Sequence, residues 1–125
     1  MKYLIDAHEF SFNKIKNGSR KIAINLYDKS TQRIKIKDIL DIRNISTGEH
    51  IECQIKGIAL FDNFNDLVDA ITPQALGYSD KNEVMVRLNR MFSKELQISL
   101  NAVAFYLEPL SEKLNFIERG EYERD

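Results

Sequence analysis

Apolar residues recur along this chain with two different spacings, and each spacing predicts a different element. Ile22, Ile24 and Leu26 alternate with Ala23 and Asn25, a period of two that predicts a strand with one buried face. Ile39, Leu40 and Ile42 open a hairpin whose turn spans Asn44 to Glu49, with Thr47-Gly48 near its tip. The returning arm carries Ile51, Cys53, Ile55 and, past Gly57, Ile58; a glycine inside that arm predicts a bulge. Phe64, Leu67, Val68 and Ile71 then fall at i, i+3, i+4 and i+7, one face of a helix. Asp62 or Asn63 suits its start, and Pro73 its end. A second helix places Val84, Leu88, Met91 and Phe92 on one side. Arg87 and Arg90 fall on its other side and are expected to line a solvated face. Asp80 followed by Glu83 resembles a capping box at its start.

Weaker signals fill the rest. Tyr3, Leu4 and Ile5 read as a short opening strand, and Glu9 to Asn17 as a short helix. That helix stops at Gly18, a structural turn residue suited to the left-handed position after a helix. Tyr27 to Gln32 is polar and turn-like. Ile34 and Ile36 alternate with Arg33, Lys35 and Lys37, predicting a short extended piece with a basic outer face. Ala102 to Leu107 is a closing strand bounded by Pro109. No repeat, low-complexity tract or linker interrupts these elements, so residues 1–109 read as one domain and 110–125 as a C-terminal extension. Leu110, Leu114, Phe116 and Ile117 are expected to dock that extension on the core, with the charged run from Arg119 to Asp125 frayed. The irregular interleaving and the antiparallel hairpin exclude a doubly wound parallel sheet. They predict an α+β fold, a small, curled, mostly antiparallel sheet flanked by helices.

Composition narrows the class. The chain has 125 residues, 43% of them hydrophobic and 30% charged, which is ordinary for a globular domain able to bury a core. No apolar run approaches the roughly 18 residues that span a bilayer, so no membrane partner is expected. Asp6, His8 and Glu9 break the apolar N-terminus, which is unlike a signal peptide and makes the cytoplasm the default. Cys53 is the single cysteine and sits in an alternating apolar run, where a buried structural thiol is expected. His8 and His50 have no partner at metal-ligand spacing and read as surface or turn residues, so neither a metal nor a cofactor is expected. The net charge of −1 hides an asymmetry of +4 over residues 1–60 and −5 over residues 61–125, the pattern of a basic face beside an acidic region.

No Gly-rich phosphate loop, Gly-x-Ser-x-Gly or His-Glu-x-x-His is present. The informative stretch is Asn17-Gly18-Ser19-Arg20-Lys21-Ile22-Ala23-Ile24-Asn25-Leu26, a glycine turn and two cations leading into a strand. Further along stand Lys37-Asp38-Ile39-Leu40, Lys56-Gly57-Ile58 followed by Phe61-Asp62-Asn63-Phe64, and Leu76-Gly77-Tyr78-Ser79 before a helix ending Met91-Phe92-Ser93. With the closing strand, these pieces in this order resemble the ASCH family of PUA-like folds over most of residues 1–107. The resemblance implies a curled β-barrel with helices around a cleft formed partly by a Gly-x-Lys stretch. It implies RNA binding, and for a few small members removal of an acyl group from a modified cytidine. This chain departs from the pattern at the chemistry. Arg20 stands where the resemblance places the lysine, Ala23 where it places a Glu or Thr, Asn25 where it places an Arg, and Gly77 where the enzymes have a Glu. Arginine stays protonated and cannot act as a general base, and alanine offers no functional group.

The expected function is therefore recognition of RNA or a nucleotide-like ligand in a small basic cleft, without catalysis. Arg20, Lys21, Arg33, Lys35, Lys37 and Arg43 would form its cationic rim, each phosphate contact releasing counterions. Asn25 offers a donor and an acceptor to a base edge, and Tyr78 a ring on which a base can stack. One alternative is a hydrolase, either of the N4-acylcytidine amidohydrolase kind or an RNA-cleaving enzyme. A second is a protein-interaction module using the acidic C-terminal half or the tail as its contact surface. The oligomeric state is left open.

Overall fold

The computed structural model describes residues 1–110. The expected docking of Leu114, Phe116 and Ile117 and the expected fraying beyond Arg119 lie outside these residues. Among the described residues the chain runs β1 (Lys2–Ala7), α1 (Glu9–Lys16), β2 (Ile22–Leu26), β3 (Ile39–Asn44), β4 (His50–Phe61), α2 (Phe64–Ile71), α3 (Lys81–Met91), α4 (Lys94–Ser99) and β5 (Ala102–Pro109). The strands form one curled half-barrel in the order β1-β3-β4-β5-β2. Only the β1–β3 pairing is parallel; the β3–β4, β4–β5 and β5–β2 pairings are antiparallel. The α+β, mostly antiparallel, curled sheet expected from the sequence is thus the observed architecture.

β4 bends the sheet. Residues 50–54 pair with β3 and residues 53–61 with β5, and the register slips between Ile55 and Gly57. The extra residue is a β-bulge, which increases local twist and curls the strand. Alternation along the strands then feeds two cores. Leu40, Ile42, Cys53, Ile55, Phe105 and Leu107 point into the concave side with Phe12 and Ile15 of α1. Ile22, Leu26, Ala102 and Ala104 face the other way and pack on Phe64, Leu67, Val68, Val84 and Leu88 of α2 and α3. β2 was expected to bury one face. Instead the Ile22 face lies under helices and Ala23 lies inside the half-barrel, so a closing strand between helices and interior leaves little to solvent.

Both helix starts predicted from the sequence are capped: Asn63 Oδ1 accepts from the Asp66 amide at 2.8 Å and Asp80 Oδ1 from the Glu83 amide at 2.9 Å. One expectation fails, and one helix was not foreseen. The basic extended piece at residues 33–37 is not a strand. Thr31–Arg33 forms a 3-10 turn and Lys37 takes φ +78°. Side chains satisfy much of this backbone, Asp28 Oδ1 accepting from the amides of Ser30 and Thr31 and Asp38 Oδ2 from that of Lys35, and only its end meets β4, where the Lys37 amide donates to Ile55 O at 2.9 Å. α3 ends at Met91 with Phe92 as its last capping residue, as the Met91-Phe92-Ser93 stretch predicts, and Ser93 then caps a further helix, α4, by accepting from the Leu96 amide.

Candidate ligand-binding cleft

β1 and β2 are the two edges of the sheet, and they do not pair with each other. Where the half-barrel stays open, between these edges, a cavity of about 140 Å³ is bordered by β1, β2, α1 and α3. Three sequence candidates, Arg20, Asn25 and Tyr78, line it.

The turn after α1 delivers Arg20. Gly18 adopts φ +84°, a conformation glycine reaches without steric cost, and the Arg20 amide closes the turn on Lys14 O at 3.0 Å. The side chain then runs inward and is only 6% exposed. Its Nε donates to Ile22 O at 2.7 Å and one Nη to Ser11 Oγ at 3.1 Å. No carboxylate among the described residues pairs with it. Burial lowers the pKa of the guanidinium from its ordinary value, opposed by the Tyr78 hydroxyl, and the group stays a cation because arginine does not deprotonate in proteins.

Tyr78 follows Gly77, which holds φ +86° at the end of a 3-10 turn. The glutamate that the resemblance places at Gly77 would strain the backbone at this φ, and its Cβ, 3.3 Å from Lys14 Cδ, would need that side chain to shift by a few tenths of an ångström. The Tyr78 ring lies 5.1 Å from that of Phe10. The Arg87 guanidinium sits 4.2 Å over Phe10 and 5.7 Å from Tyr78, a cation held on two aromatic faces. Asn25 uses Oδ1 to accept from the Leu26 amide at 2.8 Å, and its NH2 donors have no acceptor among the described residues. The cleft therefore presents mainly donors. Its one carboxylate among the described residues, Asp6, is engaged by Nε and Nη2 of Arg43 at 2.9 and 2.8 Å.

The other sequence candidates fall elsewhere. Lys21 is exposed at the start of β2. Arg33 lies 5.5 Å over the Tyr3 ring, and Lys35 and Lys37 are exposed in the irregular turn. Arg43 bridges β3 to β1 through Asp6. None of these side chains lines the cavity. Arg87, expected on a solvated face, is half-buried and belongs to the cleft, as does Ser11. Neither was legible, because Phe10, Ser11, Tyr78 and Arg87 meet only through the fold. Cys53 is fully buried as expected, and burial pushes its thiol up to about 12. His50 pairs with Asp41 on the outer sheet at 2.9 Å, and among the described residues no group of His, Cys, Asp and Glu could hold a metal ion. No helix among them is long and apolar enough to cross a membrane.

No family model and no curated protein matches the chain. Solved structures do. The hypothetical protein PH0355 superposes with a TM-score of 0.77 at 24% identity, over 87% of this chain and 99% of its own. Protein PF0455 of Pyrococcus furiosus gives 0.62 at 20% identity, over 88% and 98%. An ASCH protein of Zymomonas mobilis gives 0.58 at 14% identity, over 86% and 69%. At these identities the likeness shows the fold, and that fold is the ASCH type the sequence resemblance implied.

Proposed function

We propose that this ASCH-fold domain binds one nucleotide-like unit, free or within RNA, in the cleft between β1 and β2, and releases it unchanged. Arg20 carries the reading. An arginine only 6% exposed, without a carboxylate partner among the described residues, is costly to stability, and a ligand oxygen is the complement it lacks. The donors of Arg20 and Asn25 suit the carbonyl oxygens and ring nitrogens of a base edge, and Tyr78 with Arg87 offers a flat wall for it. Binding without chemistry is favoured because Asp6 is committed to Arg43 and Ala23 occupies the wall where a reactive group would stand.

The test is an equilibrium titration of nucleosides, nucleotides and short single-stranded RNA. Arg20→Gln and Arg87→Gln should each weaken binding roughly tenfold or more, the loss typical of a charge-assisted hydrogen bond. Lys21→Gln should leave it unchanged, since Lys21 lies outside the cavity. Equal losses in all three would reduce the interaction to diffuse charge attraction. Altered ligand recovered from the wild-type samples, but not from Arg20→Gln, would replace binding by catalysis.

A further inference from the structure

A second cavity, of about 200 Å³, adjoins the first and shares Ser11, Tyr78, Arg87 and Met91 with it. His8, Phe10 and Arg90 complete its lining, and none of these groups is acidic. The α3 spacing explains the arrangement: Arg87 and Arg90 are three residues apart, one turn of one helix face, and the shared wall puts Arg87 in both chambers.

Many cations of this chain are neutralised nearby. Lys2 pairs with Glu52, Lys16 with Glu49, Arg43 with Asp6, Lys56 with Glu108 and Lys81 with Asp69. Arg87 and Arg90 have no such pair among the described residues. Glu83, one turn before Arg87, is turned to the Ser79 amide instead. Arg87 is also held in place, its face over the Phe10 ring, which leaves its in-plane N–H groups available to an anion.

We infer that the outer cavity is a phosphate subsite, taking the phosphate joined to the ribose of the nucleotide whose base enters the inner cavity. This rests on the nucleotide reading above and adds a ligand class to it: a phosphorylated nucleoside is preferred to the bare nucleoside. The phosphate can belong to a free nucleotide or to an RNA backbone, because both present the same anionic oxygens to Arg87 and Arg90.

Calorimetric titration of the full chain with the common ribonucleosides, their monophosphates and the corresponding dinucleotides tests it. For the base that binds, the monophosphate should bind about tenfold more tightly than the nucleoside. In Arg90→Gln that ratio should fall to near one while nucleoside affinity is kept; Arg90 is exposed on the last turn of α3, so the fold is not at risk. A dinucleotide that binds as tightly as the monophosphate supports the subsite with a backbone phosphate as its source, and rejection of dinucleotides supports it with free nucleotides or chain ends. Equal affinities for nucleoside and monophosphate, or a ratio that survives Arg90→Gln, overturn the subsite and leave the nucleotide reading standing. No binding by any nucleoside or nucleotide overturns both.

Discussion

At the scale of single residues, Arg20 and Cys53 show opposite uses of burial. Arg20 carries a charge into the interior at the cleft, with only a carbonyl and hydroxyl groups around it. Cys53 is a small apolar filler of the concave core, and its raised thiol reflects nothing but loss of solvent. The folded pKa lies above the unfolded one, so Cys53 contributes stability below about 9 and loses it as pH rises towards about 12. Alkylation at mildly alkaline pH should run at least roughly a hundredfold slower in the native protein than in denaturant, because the thiolate is scarce and shielded. Comparable rates in the two states would show that the interior around Cys53 opens readily. Its burial was legible from the alternating run Ile51, Cys53, Ile55, whereas the place of Arg87 was not. A helical wheel records which side of α3 a residue occupies, not that Phe10 and Tyr78 cover that side.

Among the elements, the ends are better determined than the irregular segments between them. The Asn63 and Asp80 caps, the Gly57 bulge and the Gly18 turn are local devices, each built from a residue and its near neighbours. α2 ends less simply. Thr72, just before Pro73, holds φ +82°, a conformation that a β-branched residue adopts only under strain. Thr72→Gly should therefore raise stability by about 1 kcal/mol, read as a higher denaturation midpoint with an unchanged slope. A lower midpoint would mean that the Thr72 Oγ1 contact with the Ala75 amide, at 3.3 Å, outweighs the strain. Residues 31–38 and α4 escaped the sequence reading for different reasons. In the first, an alternation of Ile and Lys imitates a strand, but only Lys37 and Asp38 at its end bond to β4, through Ile55, and the rest closes on local turns. In the second, Leu96 and Ile98 are half to largely exposed, so no buried stripe marks the helix.

For the molecule as a whole, the charge asymmetry between the two halves of the sequence does not decide which cations line the cavities. Arg43 is spent on Asp6 and Arg33 lies over Tyr3, while Arg87 and Arg90 of the acidic half supply cations to the cavities. Binding through so few charges should be only mildly salt-dependent, with a log–log slope of about −1 to −2 for single-stranded RNA. A slope several times steeper, measured across a salt series, would point to a long electrostatic track outside the cleft. By itself the sequence determined the periodic elements, the caps, the bulge and the α+β, ASCH-type fold, because these follow from spacing, backbone preference and the order of short motifs. It also marked Arg20, Asn25 and Tyr78 as site candidates, and the fold brings these to one cavity. Only the tertiary structure decided which cations face the cleft and that a second chamber adjoins the first. Those facts depend on where the curled sheet leaves its two edge strands apart and on which side chains from α1, the Gly77 loop and α3 meet over that gap, and contacts of that kind have no fixed spacing along the chain.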